Sequence, residues 1–457
     1  MRPYLTLLGI CLLICVSAQD SLNVRHLFNW NDVSIPIGSQ GLQNRYNEVW
    51  GYSADGREYA FLGSTLGVHV FDVTDPMDAV LVDMVLGRHA GEGVVHRDYK
   101  TYQHYLYATC DQGPSSLQIM DLQYLPDSVH LIYDSQELLT RAHNIQIDTL
   151  NARLYTCGGS TQFSVYSLQD PEAPTLMSDL EADVAWWGNT VGYVHDCHVR
   201  DNIVWVNDED GMHVLDLTDP LSPILLGSLT NYPDQGYNHS GWLNEAGTVY
   251  AMADETHGSP VKLVDATDLG DLQIVNTLTT GISPTSVLHN PFYTGDLLHC
   301  AYYHDGYSVW DTSDPLQPLL KGFYDTSPVP NGETWAGAWG TYPFLPSGKI
   351  LVSDMQTGLW VLEVLDDTGV QDRKSELVRI HPTLTDGLVR VRPIQMTAAS
   401  MTIRVMDAAG RLVSTTHASS NEQVELDLRG EADGPYMVMV ITGREKHTQR
   451  IVKSSNR

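Results

Sequence analysis

The chain has 457 residues, with 26 lysines and arginines against 56 aspartates and glutamates and a formal net charge of −30. A surface that acidic repels nucleic acid and anionic membranes and attracts cations, so nucleic-acid binding is excluded as a function class. No run beyond the first twenty residues is long and apolar enough to span a bilayer.

The chain opens MRPYLTLLGICLLICVSAQD: a positive Arg2, an apolar run from Leu5 to Val16, and a small-residue cleavage site at Val16-Ser17-Ala18. That order reads as a secretory signal over residues 1–18. Cys15 follows Ile14, a poor fit to the small residue that precedes a lipid-modified cysteine, so simple cleavage is expected. Four cysteines remain, Cys110, Cys157, Cys197 and Cys300, too few for a disulfide framework in so long a chain; they read as buried thiols.

Residues 19–365 repeat one unit. GVHVFDVTDP, which ends at Pro76, has relatives at 116–126, 163–171, 211–220, 261–269, 306–315 and 358–364. Aligned, they place Asp72, Asp121, Ser167, Asp216, Asp265, Asp311 and Glu363 at one position, with steps of 49, 46, 49, 49, 46 and 52 residues. Each unit alternates apolar and polar residues in short runs divided by Gly, Asp and Pro. In the clearest one, HDCHVRD, NIVWVND, GMHVLDLTD and SPILLGSLT read as four strands. Four strands at a period in the forties make the blade of a β-propeller, and seven units make seven blades. The last unit stops after its third strand. SLNVRHLFNW, residues 21–30, is expected to supply the fourth and close the ring, leaving no open sheet edge.

Residues 366–376, DDTGVQDRKSE, read as a linker, and 377–457 as a separate small β-sandwich. The charge changes sign there: residues 19–371 hold 12 basic and 46 acidic residues, net −34, whereas 372–457 hold 13 and 10, net +3. The fold class is therefore all-β, a seven-bladed propeller followed by a C-terminal sandwich.

Five units place a histidine where the chain enters the innermost strand: His96, His143, His195, His239 and His289. Trp50 and Trp339 take that position in the other two, and the steps from Trp50 (46, 47, 52, 44, 50 and 50) match the blade period. In a propeller this position is one rim of the central channel. Loops between second and third strands open on the same face and carry Asp111, Asp208, Glu209, Asp210, Asp254, Glu255, His257, His304, Asp305 and Asp354. Imidazoles ringed by carboxylates suit a divalent metal, with the five histidines as ligands. Asp208, Glu209, Asp254, Glu255, His304, Asp305, Asp354, Trp50 and Trp339 would then surround metal and ligand. Metal affinity is expected to fall as pH drops through roughly 6.5, the ordinary histidine value.

The competing reading is structural, since duplication spreads one blade-locking histidine over every repeat. A locking histidine should meet the same partner in each blade, whereas the facing loops differ. Within YVHDCHV, His195 is assigned to the ring and Asp196, Cys197 and His198 to strand packing. No serine or cysteine nucleophile motif, phosphate loop or zinc-helix motif is present, so no catalytic residue is assigned. An enzyme here would be a metal-dependent hydrolase or lyase. The alternative is a non-catalytic adhesion or partner-binding scaffold for an extracellular glycan or protein.

Two resemblances add to this. The run NEVWGY through GREYAFLGSTLGVHVFDVTDP, with HNIQID, YVHD, NHSGWL, LHN, GAWGTYPF, SGKILVSD and GLWVLE, resembles the choice-of-anchor B family of LVIVD-repeat proteins. That resemblance implies a propeller and export, and no settled activity. The tail, with Asp407 to Arg411, Gly434 to Tyr436 and Arg450 to Lys453, resembles the sorting domain of type IX secretion. It implies that type IX machinery is a partner and that the protein is extracellular or on the cell surface.

Overall fold

The computed structural model describes residues 21–365 and, in the tail, 378–381, 384–393, 400–407, 411–419, 422–442 and 445–454. The signal segment 1–18 and the linker 366–376 lie outside the described residues. The chain divides into two compact units, 1–365 and 366–457.

In the first unit the described residues form seven antiparallel sheets, each built from strands consecutive in the chain, with the N-terminal segment adding one strand to each of the last two. Numbered from the N-terminus, the blades span residues 46–86, 97–135, 144–179, 196–229, 238–278, 290–324 and 338–364. Blade four is the pattern for the others, with strands Asp196–Arg200, Ile203–Asn207, Met212–Asp216 and Ile224–Leu229. The first three strands are buried on both faces, which is why they read as near-continuous apolar runs, while the fourth is half exposed. The first strands of successive blades touch all the way round, blade seven against blade one included, so the ring is closed.

The residue that made the repeat visible has a local task. Asp72, Asp121, Asp216, Asp265 and Asp311 each accept the backbone N–H two residues on, at 2.8–3.1 Å. They fold the turn out of the third strand by the side-chain mimicry that favours Asp in turns. Asp75, Asp219 and Asp314, each ahead of a proline, repeat the device at the next turn.

Val24–Trp30 pairs antiparallel with Gly358–Val364 and completes blade seven. Trp30 packs its ring 5.0 Å from Phe71 of blade one, so the closing strand is anchored across the seam. Leu22, expected in the same strand, lies instead with Ser21 on the outer edge of blade six, opposite Phe323 and Tyr324. Asn23 between them has φ 50°, and this turn lets one short segment join two blades.

The second unit has a three-stranded and a five-stranded sheet around Ile380, Val389, Val391, Ile403, Val405, Val438 and Ile451, a small sandwich.

The four cysteines among the described residues, Cys110, Cys157, Cys197 and Cys300, are buried and unbridged. Trp187 lies flat on Phe163 at 5.5 Å, and Trp242 packs against Phe292 and His198, so both serve the core.

Candidate metal centre at the channel mouth

Each first strand enters its blade from the same rim, and the residue at that point faces the axis. The five histidines meet there, with ring centroids 4.7 Å apart for His96–His143, 4.2 Å for His143–His195, 4.2 Å for His195–His239 and 4.5 Å for His239–His289. Trp339 completes the circle, 4.2 Å from His289 and 5.3 Å from His96.

Trp50 is not part of it. Trp50 lies opposite Phe61 in blade one, the register that Tyr342 holds opposite Leu351 in blade seven. It packs on Tyr342 at 4.9 Å, deeper in the channel. A bulge between Tyr46 and Val49 moves Asn47 into the rim position of blade one. Matching Trp50 to Trp339 in the sequence therefore set blade one three residues out of register with the rim.

The ring nitrogens are held unequally. His195 Nδ1 lies 3.1 Å from the carbonyl of His239, and His289 Nδ1 lies 2.7 Å from that of Trp339, each the ring residue of the next blade. His143 Nδ1 lies 3.0 Å from the Asp111 carboxylate. A carbonyl or carboxylate partner makes each Nδ1 the proton-bearing nitrogen and leaves Nε2 with its lone pair toward the axis. His96 has the other tautomer. The Gln112 Oε1 accepts from the N–H groups of Val95 and His96, so its amide N–H must donate to His96 Nδ1 at 2.8 Å. The proton of His96 then sits on Nε2. The repeated carbonyl partner at His195 and His289 is the uniform contact that a locking histidine would make; at His96 and His143 the partners differ.

Two groups bring three ligand atoms within 4.8 Å of one another: His96, Asp111 and His143, and His239, Glu255 and His289. In the second, Glu255 stands 3.8 Å from His239 Nε2 and 3.9 Å from His289 Nε2, and accepts a 2.6 Å hydrogen bond from Tyr303. Burial raises Glu255 to about 7. Burial also pushes His195, His239 and His289 well below 6.5, and His96 to about 3. The imidazoles are therefore neutral, as metal binding requires, far below the pH expected from their unperturbed value. His239 Nδ1 is buried without a partner among the described residues.

Of the loop residues singled out in the sequence, Asp111, Glu255 and Glu209 belong to the mouth. Glu209 accepts from Tyr237, whose ring meets His195 edge-on at 5.4 Å. The others build loops. Asp208 binds His213, Asp254 pairs with the buried Lys262 at 2.8 Å, and Asp354 takes Thr326 and two backbone N–H groups. His304 bonds Thr334, and Asp305 accepts from Thr280. Gln112, Tyr237, Tyr303 and Asn47 were not singled out; no repeat marks them.

Residues 387–454 match the model of the secretion system C-terminal sorting domain family. The protein is thus exported to the cell surface or the extracellular space and handled by type IX secretion machinery. No helix among the described residues is long and apolar enough to cross a membrane. No curated protein matches the sequence. Among solved structures, the chain is similar to the β-propeller domain of Cps50 (Swd1) from Myceliophteria thermophila. The identity is 10% and the TM-score 0.51, over 75% of this chain and 100% of that one. It is also similar to a putative 6-phosphogluconolactonase from Bacteroides uniformis, at 13% identity and a TM-score of 0.47, over 84% of this chain and 98% of that one. At such identities the likeness concerns the fold alone.

Proposed function

We propose that this exported propeller binds a divalent transition metal at the mouth of its channel, through His239, Glu255 and His289 with His195 beside them. The observation that carries the reading is the convergence of two imidazole nitrogens and one carboxylate on a single point. One of those imidazoles, His289, has its far nitrogen tied to a carbonyl, the second support that metal-binding histidines characteristically have. A metal held by three protein ligands keeps an open position, which suits a metal-dependent hydrolase or lyase acting on a ligand at the mouth. Export by way of an N-terminal signal peptide, and kinship with the LVIVD-repeat, choice-of-anchor B proteins, belong to the same proposal. The non-catalytic scaffold is favoured by one observation, the repeated carbonyl contact at His195 and His289.

Titration of the exported chain with Zn²⁺ by calorimetry tests the metal reading. One tight site is expected, abolished by His289→Ala; absence of binding to the wild type would overturn it.

A further inference from the structure

Directly beneath the imidazole ring the channel holds a second layer of side chains, made only of oxygen and nitrogen donors that the sequence does not repeat as one letter. The residue after the rim position supplies it in five blades, Glu48 after Asn47, Asn144 after His143, Asp196 after His195, Ser240 after His239 and Asn290 after His289, and Asp98, two residues after His96, joins them. Together they line a chamber of about 20 Å³, floored by Trp242 and Phe292. That volume takes one water-sized occupant. Three carboxylates enter it, and one ammonium, Lys100, which is bound to Asp98 at 2.8 and 3.0 Å and lies over the Trp50 ring. Two negative charges are thus left without an opposite partner.

A second observation also points to a ligand. Asn290 is 6% exposed and lines the chamber. Its amide donates to Glu48 at 3.3 Å, yet its Oδ1 has no partner among the described residues. Across the layer, Gly340 leaves the space that Glu48 uses, because a Cβ there would lie 2.3 Å from the Glu48 Oε1. The chamber is thus rich in acceptors and short of donors.

We infer that this chamber is a second, oxygen-lined cation site for a single Ca²⁺ ion, held by Glu48, Asp98, Asn144, Asp196 and Asn290 and separate from the transition-metal site above it. Hard cations take oxygen ligands, and imidazole-rich sites take transition metals, so the two layers sort ions by chemistry. Mg²⁺ sheds its waters reluctantly and would need room for them, whereas Ca²⁺ accepts an irregular cage of carboxylate and amide oxygens. A divalent charge balances the two carboxylates that Lys100 leaves over.

The test is elemental analysis and thermal melting of the full exported chain, with and without EGTA. Wild type is expected to carry one Ca²⁺ per chain and to melt at a lower temperature after chelation. Asp196→Asn and, should that variant fail to fold, Asn290→Ala are expected to lose the ion and the EGTA effect. The ring variant His239→Ala/His289→Ala is expected to keep both, which separates this site from the one above. A wild type without Ca²⁺, whose melting neither EGTA nor added Ca²⁺ moves, would overturn the inference and leave a chamber filled by water and protonated carboxyls.

Discussion

Two residues show how burial sets chemistry in this channel. His198, one strand position below the chamber layer, packs 4.2 Å from Trp242, and neither ring nitrogen has a partner among the described residues. Burial drops it to about 3. The unfolded chain takes up this proton near pH 6.5 while the folded one refuses it until about 3, so stability is lost as pH falls through that window. The slope approaches about 1.4 kcal/mol per pH unit for each such histidine. His198→Phe is expected to melt no lower than wild type at pH 7, since an unpaired buried polar group costs about 1–3 kcal/mol, and to melt less acid-sensitively. Acid melts of the two proteins check this. Glu255 works in the opposite direction. Burial holds a proton on it up to about 7, and a metal must displace that proton, so metal affinity is expected to rise with pH until about 7 and then level off. His239, His289 and Tyr303 face it, and the two imidazoles are already neutral there. Glu255→Gln should bind more weakly and without that slope. At this scale the sequence was half legible. The five histidines stood out because one letter recurred at one period. Glu48, Asn144 and Asn290 did not, and Asp196 read as strand packing, because their shared property is a side-chain oxygen lining one chamber rather than a shared name.

The closing strand of blade seven is the element on which the ring depends. Residues 24–30 align with Val364 to Leu359, and Trp30 adds contacts to Tyr46, His69 and Phe71 of blade one. A chain starting at Asn31 loses that packing and opens a sheet edge. Val24 is buried and Leu27, Phe28 and Trp30 are half-buried against the blades, so the shortened chain is expected to melt far below the full one. Equal melting temperatures would contradict the closure. The strand was legible because SLNVRHLFNW repeats the composition of the other fourth strands. Its split at Asn23 was not, because an αL residue between two extended pairs carries no compositional signal. Asn47 was hidden because it shares no letter with the histidines and tryptophan of the other rims, while Trp50, three residues on, does.

At the scale of the whole molecule, the acidic surplus has a destination. Many carboxylates shape turns, as Asp72 and its four equivalents do, and a few face the axis, where Asp111, Glu209 and Glu255 ring the mouth above Glu48, Asp98 and Asp196. Export leaves the propeller outside the cell, where the two cages proposed above, imidazole at the mouth and oxygen beneath it, would meet extracellular cations. Seven blades were countable from the repeat, and the tail from its reversed charge. What lay beyond the sequence was depth along the axis, because neighbours there come from different blades. The most direct measurement is metal content beside thermal melting for the wild type and His239→Ala/His289→Ala, both purified as exported chains without chelator. The account expects a transition metal in the wild type, none in the variant, and a folded variant that still melts cooperatively. A metal-free wild type that added Zn²⁺ leaves unchanged, paired with a variant of sharply lower melting temperature, would show that the ring only locks the blades together.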